Sequence, residues 1–232
     1  MGWERSSFID HLRIVLTALV VLHHTALIYG GSGEWYWREE PNASSLALLV
    51  FNATNQSFFM GLFFLLAAYF TPGALERRGE GAFIRERLLR LGLPLVVYFY
   101  LMIALAHAGD SAAFWPEWRD MMLERDFGPG PLWFAEALLL LSAPFLLWRR
   151  LYPAYATVPL RLPGFGILLV TAIVLGLVSF TVRLVIPVGE EPLWLQLGYF
   201  PCYLWLFFAG CVAARGKALE NVPRARHCRG CC

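Results

Sequence analysis

Residues 12–30 read LRIVLTALVVLHHTALIYG. An apolar run of this length matches the roughly 20 residues a helix needs to cross a bilayer. It carries one cation, Arg13, and two imidazoles, His23 and His24. Ionisable groups at that depth are costly unless something partners them, so the same stretch that marks a spanning helix also marks a candidate site. The whole chain agrees with the first half of that reading. Of its 232 residues 58% are hydrophobic, 16% aromatic and 16% charged, and its mean hydropathy is +0.55. Soluble domains are less apolar and more charged. A nucleic-acid-binding module and a disulfide-built extracellular domain are excluded. The partner the chain requires is a lipid bilayer.

Further apolar runs lie at about 45–70, 91–107, 131–148, 164–182 and 193–213, which makes six spans with the first. Gly-Pro signals at 128–131, Pro163-Gly164 and Pro187 fall between them, where helix breakers belong. The runs are continuous rather than short and alternating, which argues against a membrane β-barrel. The expected fold class is therefore all-α, a polytopic transmembrane helical bundle of about six spans. With the N-terminus cytoplasmic, fifteen of the 19 Lys and Arg fall in the head, the 71–90 loop, the 149–163 loop and the tail. That is the asymmetry of the positive-inside rule, and it also places the C-terminus in the cytoplasm. No cleaved signal peptide is expected. Residues 111–127 read as an amphipathic helix on the outer face, with Phe114, Trp118, Met121 and Met122 on its apolar side.

Arg13 and His24 are eleven residues apart, almost three helical turns, so they share one face within about 20° and lie about 16 Å apart. Arg13 at the end of the span either snorkels to the interface or meets an anionic ligand. His23 and His24, deeper, require partners. Asn52, Thr54, Asn55, Gln56 and Ser57 interrupt the second span. Such groups either hydrogen-bond between helices or line a polar pocket and orient an imidazole. Glu136, early in the fourth span, has His24, Arg183 and His107 as possible partners. Arg87 and Arg90 sit at i,i+3 before the third span, a spacing that suits phosphate. His227, Cys228, Cys231 and Cys232 crowd the last residues with no fold visible to set them around a metal, and no metal site is expected. Asn42-Ala43-Ser44 matches a glycosylation sequon without further meaning here.

Several of these stretches together resemble the acyltransferase-3 family of membrane acyltransferases, in its glucan biosynthesis C branch. They are Asp10-His11-Leu12-Arg13, His24 to Tyr29, Phe63 to Phe70, Phe83 to Pro94 with Arg87-Leu88-Leu89-Arg90, and Pro131-Leu132-Trp133-Phe134. The resemblance covers about residues 8–150. It implies transfer of an acyl group from cytoplasmic acyl-CoA, as donor substrate with no cofactor, to a hydroxyl of a carbohydrate acceptor, a periplasmic or cell-surface glycan. It implies a multi-pass protein of the bacterial inner membrane. It puts the essential histidine at His24 and the arginine pair at Arg87 and Arg90. Many relatives carry Ser-Gly where this chain has Ala67-Ala68.

The candidate catalytic residues are thus His24 and Glu136, and the candidate substrate-binding residues are Arg13, Arg87, Arg90, His23, Asn55 and Gln56. Residues 1–213 are expected to form the membrane-embedded acyltransferase-like domain, and 214–232 a disordered cytoplasmic tail. Because family members usually carry more spans, and because 223–232 is rich in Arg, Cys and Gly, the chain is expected to be a C-terminally truncated or frameshifted member. Two other classes remain open on the residues alone. One is a six-helix membrane haem electron carrier using His24 and His107. The other is a transporter or scaffold, although no inverted repeat supports a transporter.

Overall fold

The computed structural model describes residues 7–30, 45–102, 104–105, 114–124, 128–152, 163–187, 192–215 and 219, and among these there is no strand. His107, the sequon at 42–44 and the terminal segment 220–232 lie outside the described residues. Four helices open the chain: α1 (Ser7–Gly30), α2 (Ser45–Gln56), α3 (Phe59–Arg78) and α4 (Glu80–Arg87). An unbroken helical run then passes through a π-helical turn at Leu88–Gly92, α5 (Leu93–Val97) and a second π-helical turn at Tyr98–Met102. After it come α6 (Phe114–Glu124), α7 (Trp133–Leu151), α8 (Phe165–Val185) and α9 (Phe200–Ala213).

Among the described residues, four helical stretches are long and apolar enough to cross a membrane: Phe8–Gly30, Ser45–Arg78, Gly130–Leu151 and Phe165–Val185. They coincide with the first, second, fourth and fifth expected spans. The third expected span is, over its described residues, occupied by mixed α and π turns, and the sixth by a shorter apolar helix, Leu197–Ala213. Outward-facing side chains identify the solvent. On α8, Phe165, Ile167, Val170, Leu177, Phe180 and Val185 are each at least 60% exposed, a surface that water would penalise and lipid tails match.

One expectation about boundaries changes and another takes a definite form. The polar run expected to interrupt the second span ends α2 at Gln56, before α3 begins at Phe59. The Ser57 hydroxyl donates to the Thr54 carbonyl at 2.7 Å while the N–H groups of Ser57 and Phe58 reach back three residues, to Thr54 and Asn55. Side-chain competition for a backbone carbonyl ends α2 there. The expected 71–90 loop is instead helical. α3 continues through Pro72 to Arg78, Gly79 turns the chain at φ 76°, and α4 resumes at once. Only glycine takes that conformation without strain. Ion pairs hold this basic segment: Arg149 to Glu76 at 3.2 Å, Arg150 to Glu80, and Arg78 to Glu86. The acidic partners let a run of arginines fold as helix, and they tie α3 and α4 to the last turn of α7.

The core lies between α3, α7 and α9, where Phe64, Phe145 and Phe207 are fully buried. Phe64 stacks on Tyr203 with ring centroids 4.8 Å apart and meets Phe134 edge-on at 4.8 Å. Backbone approach between α3 and α9 is close because Gly210 faces α3. A Cβ there would sit 2.3 Å from the Leu65 carbonyl oxygen and 3.0 Å from Ala68 Cβ. Within the expected 111–127 segment, α6 is amphipathic. Met121 is buried beside Ala104, and the Trp118 indole donates to the Tyr100 carbonyl at 2.8 Å.

Candidate active site

Two aromatic contacts fix how α1 lies on α3. The His23 ring packs on Phe59 at 5.0 Å, and the Arg13 guanidinium sits over Phe70 at 5.8 Å. Residue numbers fall along α1 as they rise along α3, so the helices are antiparallel. Ten residues on one and eleven on the other separate the imidazole turn from the arginine turn, about 15 Å. The bundle therefore has a histidine end and, at the Arg78, Arg149 and Arg150 ends of α3 and α7, a basic end.

At the histidine end the neighbouring imidazoles have different surroundings. His23 is 8% exposed, and its Nδ1 has no hydrogen-bond partner. His24 is half-buried, with Nδ1 2.8 Å from the Val20 carbonyl oxygen. A carbonyl can only accept, so Nδ1 carries the hydrogen and the lone pair of the neutral ring lies on Nε2. Helix α1 thus fixes the tautomer of His24 from within its own backbone. The rings meet edge to face at 5.9 Å. Beside them α2 presents Asn55, whose amide donates to the Leu19 carbonyl at 3.2 Å while its Oδ1 is buried without a partner. Asn52, one turn earlier, is buried with both amide atoms unpartnered. Gln56 points the other way and donates to the Tyr203 hydroxyl at 3.4 Å.

Toward the basic end, Arg13 and Arg87 converge on consecutive residues of α3. Arg13 covers Phe70, and Arg87 donates to the Thr71 hydroxyl at 2.6 Å while lying over Phe83 at 5.2 Å. Thr71 is itself oriented by donating to the Ala67 carbonyl at 2.8 Å. Arg90 does not join them. It is exposed and paired to Glu86 at 2.8 Å. The π-helical turn that begins at Leu88 changes the phase after Arg87, and the expected two-arginine fork becomes one inward and one outward cation.

Over residues 6–228 the chain matches the acyltransferase-3 family model, described as an acyltransferase domain. The chain belongs to the acyltransferase-3 family. It is 30% identical over 118 residues to glucans biosynthesis protein C of Escherichia coli K12, and 29% identical over the same length to the proteins of that name from E. coli strains SMS-3-5 and O1:K1 / APEC. In each case the match covers 49% of this chain and 30% of the relative. No solved structure matches.

The Ala67-Ala68 pair, which stands where many relatives carry Ser-Gly, does not prevent close backbone approach between α3 and α9. Ala68 is fully buried, and Gly210 of α9 supplies the missing bulk-free surface opposite it. Glu136 stands in the first turn of α7, at the end of that helix remote from Arg149 and Arg150, with Oε2 buried and without a hydrogen-bond partner. Among the described residues no ion pair joins it to His24 or Arg183, and its third expected partner, His107, lies outside them. Among the described residues no group of His, Cys, Asp and Glu is arranged to hold a metal ion. Thr71 and Phe59 went unnoticed in the sequence. A polar residue directly before Pro72 in an apolar helix was the available signal for the first, whereas one phenylalanine among eighteen gave none for the second.

Proposed function

We propose that this chain moves an acyl group from cytoplasmic acyl-CoA to a hydroxyl of a periplasmic or cell-surface glycan, across a bacterial inner membrane. The observation that carries the reading is the antiparallel pairing of α1 and α3, which sets Arg13 and Arg87 on one turn and the two imidazoles about 15 Å away. In this reading the arginines take the phosphates of the donor and the histidine end takes the acceptor. Nε2 of His24 accepts the hydroxyl proton, and the oxygen attacks the thioester carbonyl carbon. The carbon–sulfur bond then breaks, and the proton passes to the departing thiolate. Asn55 and His23 offer polar groups to the acceptor, whereas Gln56, expected beside them, is turned away to the Tyr203 hydroxyl; Glu136 is a carboxylate at the end of α7 away from the arginines. Arg90, in its pair with Glu86, meets the donor by exchanging partners. The printed name of the E. coli relatives supports a glucan as the acceptor class.

The reading is tested by incubating membranes that contain the chain with radiolabelled acyl-CoA and following label into glycan. His24→Ala is expected to abolish transfer while inserting normally, and full transfer by that variant would end the proposal.

A further inference from the structure

Gln56 and Asn55 are adjacent in sequence but face opposite flanks of the α2–α3 corner. Asn55 turns toward α1 and the histidines. Gln56 turns toward a cavity of about 840 Å³ bounded by α2, α3, α8 and α9. Among the described residues lining it, Arg183 is the one charged group, and no carboxylate faces it. The Arg183 guanidinium lies over the Tyr199 ring at 4.4 Å, and its Nε is buried with no hydrogen-bond partner. Close to it are the Tyr203 hydroxyl, which accepts from Gln56, and Ser179, one turn back along α8. A buried cationic donor without an acceptor is an unmet demand for an anion.

The other end of the cavity is different. Gly176 lies seven residues before Arg183, nearly two turns along the same stripe of α8 and about 10 Å away. A Cβ placed on Gly176 would meet nothing within 4 Å. The lining also includes the apolar Phe58, Leu62 and Leu206, and Phe180, which stands between Gly176 and Arg183 in the sequence of α8, is 60% exposed. The space is therefore polar and cationic at one end, hydrocarbon at the other, and reachable from the membrane.

We propose that this cavity binds an amphiphile with one anionic head, carboxylate or phosphate, the head on Arg183 and the chain running past Gly176. The site stands apart from the transfer centre at His24, and its occupancy is read without reference to transfer. The test uses the full chain in maltoside micelles, titrated with cis-parinarate and followed by energy transfer from tryptophan. Wild type is expected to saturate. Arg183→Met is expected to weaken binding about tenfold or more, and Arg183→Lys to keep most of it. Gly176→Leu, which fills open space and leaves the cation in place, is expected to weaken it to a similar extent. Competition then separates the sources. Displacement by phosphatidylglycerol identifies a phospholipid as occupant, and displacement by oleate alone identifies a free carboxylate; either supports the proposal. It is overturned if wild type shows no saturable binding, or if phosphatidylcholine competes as well as phosphatidylglycerol. Unchanged binding in Gly176→Leu overturns it too, even where Arg183→Met is affected, because Arg183 would then act only by packing over the Tyr199 ring.

Discussion

His23 and His24 differ by one position and about 100° around α1, and that rotation separates their chemistry. His24 has its Nδ1 committed to Val20, whereas His23 packs on Phe59 with the rings tilted by 33° and Nδ1 unsatisfied. The sequence made the Arg13-to-His24 spacing plain but not which ring turns against α3, because the deciding partner is 36 positions away in the chain. Asn55 was visible as a polar intruder for the same reason that His24 was, since hydrocarbon tolerates neither without cause. Thr71 carries a prediction at this scale. It is 1% exposed and accepts from Arg87. Thr71→Val keeps the shape and removes the acceptor, which releases the guanidinium from its set position. Steady-state kinetics should show KM for acyl-CoA rising severalfold with kcat little changed, while an unaltered KM would mean that Arg87 does not meet the donor.

Helix boundaries were less legible than helix identities. The run at 45–70 was readable as one apolar span with a polar interruption, yet the Ser57 hydroxyl that ends α2 acts through a geometry that hydropathy does not encode. The basic segment at 77–90 reads as a loop when its charge is counted without partners: Glu86 takes Arg78 and Arg90, while Glu76 and Glu80 take Arg149 and Arg150 from a helix some 70 residues on. These ion pairs are exposed and screened by salt, so they position the segment more than they stabilise it. Arg150 hydrogen-bonds the Glu80 carboxylate and holds its pKa below the ordinary value. A depressed carboxylate pKa adds stability above the unfolded value and loses it as pH falls through the folded one. Thermal unfolding of wild type should therefore be insensitive to Glu80→Gln at acid pH, where the carboxylate is protonated in both, and any difference should appear near neutrality. The α3–α9 contact offers a larger effect. Gly210→Ala pushes a methyl against the Leu65 carbonyl, which cannot rotate away, and should destabilise by about 1–3 kcal/mol. At Gly61 the obstructing atom is the Leu206 Cδ1, the end of a flexible side chain, at 2.6 Å. Gly61→Ala should cost less, and melting in detergent that reversed this order would refute the packing argument.

As a whole the molecule is a helical bundle whose ends differ in chemistry. One end gathers arginines with their neutralising acids, the other gathers two imidazoles, buried amides and an unpartnered carboxylate oxygen. Composition alone announced the membrane, and the short motifs between Asp10 and Phe134 announced the family. The pairing of α1 with α3 needed coordinates, because helix order along a chain does not say which helices touch. This polarity is the central claim, and transfer between the two faces of a sealed membrane tests it most directly. Vesicles of both orientations, each with acyl-CoA supplied only outside and glycan acceptor only inside, separate the alternatives. Label should reach the enclosed acceptor in inside-out vesicles, where the arginine end meets the donor, and should fail to do so in right-side-out vesicles. Equal transfer in both orientations, or transfer only in the right-side-out vesicles, would contradict the account.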